Sequence, residues 1–135
     1  MEYDREEIRV RALNEPISHY TDAVRVGGLL FLSGCAPLDG AGRLVGGDDV
    51  LAQTRQALSN MQQVLAAAGA TFSDVVKVTV YLTDVDDRQT VDLARREVFG
   101  PARPASTLVE VSRLAVPGMK VEIECVAVVP HAGGG

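Results

Sequence analysis

The chain has 135 residues, 47% of them hydrophobic and 23% charged, with a net charge of −5. This is the length and make-up of one soluble domain, and its acidity opposes a nucleic-acid phosphate backbone. No apolar run approaches the roughly 20 residues that span a bilayer, and the acidic start "MEYDREEIRV" lacks the apolar stretch of a signal peptide, so a cytoplasmic protein with no membrane and no nucleic-acid partner is expected.

"IRVRAL", from Ile8, alternates and predicts a first strand. "AVRVGGLLFLSG" predicts two strands about a Gly27-Gly28 hairpin, and the turn-rich "PLDGAGRLVGG" predicts a loop. Leu51, Thr54, Leu58, Met61, Leu65 and Ala68 recur at three and four, the stripe of an amphipathic helix. Asp48 and Asp49 suit its start and Gly69 its end. "VVKVTVYLTDV" predicts a strand with Val76, Val78, Val80 and Leu82 on one side and Lys77, Thr79, Tyr81 and Thr83 on the other. A second helix runs from about Asp87 to Phe99, with Val91, Ala94 and Val98 inward, and stops at Gly100-Pro101. "STLVEVSRL" and "MKVEIECVAVV" predict two last strands, and "PHAGGG" a disordered tail over 130–135 after a single domain, 1–129.

The order βββαβαββ, with two single-faced helices, predicts an α+β fold: a mixed sheet carrying both helices on one face. The other face, with Thr79, Tyr81 and Thr83, is moderately polar and predicts an oligomer, whose intersubunit clefts are natural sites for small molecules. In the last strand Glu122 and Glu124 share one side, while Val121, Ile123 and Cys125 face the core. Either that side meets water or an acid works in a pocket. Cys35 and Cys125 fit no metal-ligand spacing, so no metal is expected. Cys125 reads as core; Cys35, after Ser33-Gly34 at a strand end, is more open to a functional role, and His19 reads as a surface loop residue.

"YTDAVRVGGLLFLSG", "QTRQALSNMQQVLAAAGATFSDVVKVTVYLTDVDD" and "VEVSRL…VEIECVAV" resemble the Rid family, the YjgF-like reactive intermediate deaminases, over nearly the whole chain. The resemblance implies a chorismate-mutase-like fold, a homotrimer with three intersubunit clefts, and cofactor-free hydrolysis of amino-acid-derived enamines and imines to ammonia and 2-keto acids. It makes Glu122 the catalytic, water-handling acid, with Tyr20, Ser33 and Gly34 lining the substrate cleft. Arg113 matches a structural arginine, and Asp92 falls near a cleft position often held by asparagine. One departure matters. Where deaminating members read "PARSCVEV" or "PARTTVEV", with an arginine that clamps the substrate carboxylate, this chain reads "PASTLVEV". Ser106 stands at the arginine position, and Leu108, two residues on, makes the neighbouring substrate-binding wall less polar. Arg103 lies three residues upstream, about 10 Å away along an extended chain, and Pro104 stiffens the link.

The resemblance and the departure together imply a Rid-like hydrolase whose substrate is not a simple α-imino acid. The alternative is a non-catalytic trimer that binds a small metabolite or regulates a partner. A ribonuclease or translation inhibitor, the family's older label, fits less well, because the chain is acidic, has three tyrosines and no tryptophan, and shows no basic run.

Overall fold

The computed structural model describes residues 4–130; most of the predicted tail lies outside the described residues. Six strands form one sheet: β1 (Arg5–Ile8), β2 (Ala23–Val26), β3 (Leu29–Leu32), β4 (Val75–Leu82), β5 (Ala105–Glu110) and β6 (Val121–Val128). Two helices, α1 (Val50–Ala67) and α2 (Arg88–Phe99), complete the βββαβαββ order. The spatial order is β1-β2-β3-β6-β4-β5, with every pair antiparallel except β4 and β5, which α2 connects in parallel.

Alternation sorts the sheet's side chains. Leu30, Val78, Val80, Leu82, Val121, Ile123 and Ala127 are completely buried and join Leu58, Met61 and Leu65 of α1 and Val91 and Ala94 of α2 in one core. Among the described residues the opposite face carries no helix. There Leu29, Phe31, Val109 and Val128 are 39–46% exposed, beside the half-buried Thr79, Tyr81 and Glu124.

Local chemistry explains the boundaries. Gly27, at φ +57°, makes the β2–β3 turn. Asp49 Oδ1 caps α1 by accepting from the amides of Leu51 and Ala52, and Gly69, at φ +79°, follows its last turn. Gly100, at φ +56°, ends α2.

Three expectations need correction. The first strand lies over Arg5–Ile8 and ends where the alternating reading began it: Ile8 is its last residue, and the chain after it is folded back by Arg9 rather than paired. Val76 does not face the core. A register shift between Val75 and Lys77 leaves it 46% exposed and gives the inward position to Val75. In α2, Phe99 is buried more deeply than Val98.

Two buried polar residues of α1 tie loops to the sheet. Gln53, fully buried, donates Nε2 to the carbonyls of Gly47 (2.7 Å) and Gly118 (3.0 Å), and its Oε1 accepts from the Lys120 amide (2.7 Å) just before β6. Asn60 donates Nδ2 to the carbonyls of Ala36 and Leu38, both 2.9 Å, and holds the segment after β3. Leucine at position 53 would leave three backbone groups without partners. Gln53→Leu is therefore expected to lower unfolding stability by about 1–3 kcal/mol, read by urea titration; an unchanged midpoint would show that water replaces the amide.

Candidate active site

The pocket begins with an irregularity between β3 and β6. Phe31 pairs with Val126, and the next pairing down the strands is the isolated bridge of Cys35 with Ile123. Residues 32–34 thus stand opposite only 124–125, so one extra residue bulges on the β3 side. The bridge is tight, with Cys35 N–H donating to Ile123 O at 2.7 Å and Ile123 N–H to Cys35 O at 3.1 Å. It brings Gly34 against the side chain of Glu122. A Cβ at position 34 would lie 1.9 Å from Glu122 Oε1, so only glycine leaves the carboxylate where it is.

Around this contact the chain builds a pocket of about 80 Å3, lined among others by Tyr20, Asp22, Ser33, Gly34 and Glu122. Arg9 shapes its outer wall. It pairs with Asp22 at 2.9 Å and donates to the carbonyls of Val10, Leu13 and Asn14, while the Val10 amide donates to Asp22 Oδ2. Ser33 Oγ donates to Thr21 O at 2.6 Å, which fixes the hydroxyl's proton and leaves it only to accept from a ligand. Tyr20 is 42% exposed, its hydroxyl accepting a long bond (3.3 Å) from the Ile17 amide. Among the described residues no lysine or arginine lines the pocket itself; Arg9 stands behind Asp22 and the Leu13–Asn14 wall.

The two acids of β6 differ in their commitments. Glu124 accepts from the Tyr81 hydroxyl at 2.9 Å and has a structural partner. Glu122 accepts no hydrogen bond among the described residues. Burial, and then the charge of Glu124, raise its carboxyl above the ordinary 4.5. A carboxyl moved in that direction can exchange a proton nearer neutral pH. Cys35 is buried, not open at the pocket mouth. Its thiol is pushed far up by desolvation and by Cys125, Asp22 and Glu122, and is unreactive as a nucleophile. His19 is an exposed loop residue outside the pocket lining.

The remaining predicted site residues lie elsewhere in the protomer. The parallel register sets Ser106 beside Val78 and Leu108 beside Val80, on the helix-bearing side of edge strand β5. Leu108 is half-buried against the core, while Ser106 lines a second cleft, of about 630 Å3, with Asp92, Arg95, Arg96 and Arg103. There Arg95 Nη2 donates to Ser106 Oγ at 2.9 Å, a contact the strand sequence gave no sign of. Burial lowers the Arg95 pKa, against the Asp92 charge that raises it; arginine nonetheless stays charged near neutrality. One protomer therefore brings Tyr20, Ser33, Gly34 and Glu122 together and keeps Ser106 and Leu108 apart from them.

The sequence matches the family model described as Endoribonuclease L-PSP over residues 11–129. The chain belongs to this family, the Rid/YjgF family. Among its Rid relatives, a RutC family protein of Pyrococcus horikoshii is 43% identical over 84% of this chain and 89% of its own length. A human protein named 2-iminobutanoate/2-iminopropanoate deaminase is 39% identical over 83% and 81%. The folds agree as well. The YjgF gene product of E. coli superposes with a TM-score of 0.83 at 34% identity, covering 91% of this chain and 98% of its own. YyfA of Yersinia pestis, described as a Rid protein, reaches 0.88 at 34% identity, covering 93% and 100%.

Proposed function

We propose that this Rid protein hydrolyses reactive imine or enamine intermediates, releasing ammonia, in clefts between the copies of a homotrimer. The carrying observation is Glu122, an acid with raised proton affinity and no side-chain hydrogen-bond partner among the described residues, set against Gly34 in a pocket walled by Tyr20. Relatives named imine deaminases support the reaction class.

The chemistry asks little of the protein. Glu122 takes a proton from water as the oxygen attacks the imine carbon and the C=N electron pair moves to nitrogen, and the Glu122 carboxylic acid then returns that proton to the nitrogen. As the carbinolamine collapses, Glu122 carries the hydroxyl proton to the amine nitrogen, the C=O bond forms, and the C–N bond breaks with loss of ammonia. In this reading the Ser33 Oγ lone pair and the Tyr20 hydroxyl, both lining the pocket, orient the nitrogen and the water.

Two features favour assembly around this step. The Glu122 pocket, at about 80 Å3, is far below the roughly 300–1,000 Å3 of a pocket that encloses a ligand, and a second copy laid against it would enlarge and close it. The exposed Leu29, Phe31, Val109 and Val128 give the sheet an apolar surface for such a contact. Sedimentation is expected to give about three times the 14.3 kDa chain mass.

The deciding assay is ammonia release from 2-iminobutanoate and from a neutral N–H imine, with the imino acid generated in place by an amino-acid oxidase. Acceleration of either above buffer is the expected result. Acceleration of neither would sink the hydrolase reading and leave a ligand-binding trimer.

A further inference from the structure

The outer wall of the Glu122 pocket is the segment between β1 and β2, residues 9–22, which contains neither helix nor strand. It supplies Leu13, Asn14, Ile17, Tyr20 and Asp22 to the lining. Among the described residues its own backbone closes two bonds, Leu13 N–H to Val10 O at 3.1 Å and Tyr20 N–H to Ser18 O at 3.0 Å. One side chain does more. Arg9 lies one position beyond the β1–β2 ladder, whose last pair is Ile8 with Ala23. Its Nη1 donates to Val10 O and, at 2.9 Å, to Asp22 Oδ2. Its Nη2 donates to Leu13 O at 3.1 Å and to Asn14 O at 3.0 Å. A planar fork that reaches four acceptors fixes them relative to one another, which a point-like ammonium cannot do. The side chains of the Arg9–Asp22 pair are only 25% and 11% exposed, so water and salt compete weakly for it.

The clasp continues toward the chemistry. Asp22 Oδ2 also accepts the Val10 amide at 2.7 Å, and Thr21 Oγ1 donates to Ile8 O at 3.0 Å, which ties both ends of the segment together. On the other side Asp22 O accepts the Ser33 amide at 3.0 Å, and Thr21 O accepts Ser33 Oγ at 2.6 Å. Ser33 precedes Gly34, the residue against the Glu122 carboxylate, and Tyr20 stands two residues before Asp22. We propose that Arg9 is a positioning residue of this site: through Asp22 and the three carbonyls it sets where Tyr20 and Ser33 stand relative to Glu122. It stands outside the lining and acts only through the groups it holds. Nothing in the alternating "IRVRAL" sets it apart from Arg11, which is exposed. This role rests on the hydrolase reading for its effect on turnover, while the fixing of Ser33 and of residues 13–20 stands without it.

Hydrogen exchange at single amides and turnover of 2-iminobutanoate and of a neutral N–H imine are compared in wild type, Arg9→Gln and Arg9→Lys. Arg55→Gln, which removes the exposed Arg55–Glu97 pair, is the control. Arg9→Gln is expected to speed exchange at the Ser33 amide and at amides 13–20 by about 10-fold or more, with β4 and β6 still protected. For the better substrate, kcat/KM should fall about 10–100-fold, the cost of a small misplacement. Arg9→Lys should recover part of both, because it keeps the charge opposite Asp22 but not the fork. Arg55→Gln should change neither. A double-mutant cycle separates positioning from mere support. With Tyr20→Phe and Ser33→Ala already in place, Arg9→Gln should cost less than about threefold in kcat/KM, because the hydroxyls it places are gone. An undiminished cost in that background, unchanged kcat/KM in Arg9→Gln, or unchanged exchange at Ser33 would each overturn the role. If Arg9→Gln fails to fold, Arg9→Lys carries the same comparison and the same cycle. If wild type turns over neither imine, the hydrolase reading alone fails, and exchange at Ser33 and at residues 13–20 decides whether Arg9 holds them.

Discussion

Glu122→Gln is expected to slow ammonia release by about 10²–10⁴-fold, the usual contribution of a positioned general base, without unfolding the protein. The amide keeps the shape that fills the space above Gly34 but cannot accept the water's proton. Its effect on stability should run the other way. Burial and the Glu124 charge raise the folded-state pKa of Glu122 above 4.5, so the folded protein holds this proton more tightly than the unfolded chain. The group's stabilising contribution is full below the unfolded pKa and is lost as pH rises through the folded one. Near neutral pH the ionised carboxylate is therefore a net destabiliser, and glutamine removes that penalty. The variant should melt at or above the wild-type temperature near pH 7, with the advantage vanishing by about pH 4. Wild-type turnover in Glu122→Gln would exclude the residue from the chemistry. A variant less stable near pH 7 than near pH 4, relative to wild type, would reverse the assigned shift.

Gly34→Ala should be nearly as damaging to activity, for a steric reason. The new methyl would fall 1.9 Å from Glu122 Oε1 and 2.7 Å from its carboxyl carbon, so the carboxylate must swing out of the pocket. Gly34 is not among the glycines with positive φ, and alanine can adopt its backbone without strain. The displaced group is the end of a flexible side chain, and the fold should absorb the change. Loss of about 10²-fold or more in turnover is expected, since a misplacement of about 1 Å can cost that much, with a melting temperature within a few degrees of wild type. A variant that loses its fold would mean that the bulge itself cannot accept a side chain. A variant with full activity would mean that Glu122 works from another rotamer.

The faces of β6 were legible because a strand's period of two leaves no freedom: once Val121, Ile123 and Cys125 go inward, Glu122 and Glu124 must go out. The stripe of α1 was readable for the same kind of reason. What escaped were events with no local signature. The bulge at 32–34 depends on where Cys35 meets Ile123, 88 residues away, so the resemblance could name Gly34 as a cleft residue but nothing local could set it against Glu122. Val76 looked like its neighbours until a register shift turned it out. Gln53 and Asn60 are polar residues on a helix, and nothing short of their loop partners marks them as buried. Arg95 was missed because its role lies in reaching across from helix to strand. An arginine next to Arg96 on a helix reads as surface until its hydroxyl partner on the strand is seen.

The extra residue between β3 and β6 has a consequence for how this scaffold can change. Removing one residue from 32–34 would let Cys35 and Ile123 fall into the same pairing as Phe31 and Val126, giving an uninterrupted ladder. Such a shortened chain would gain regular sheet and lose the hollow that receives the Glu122 carboxylate. The fold therefore has a nearby, tidier alternative that is inert, and selection for stability alone would drift toward it.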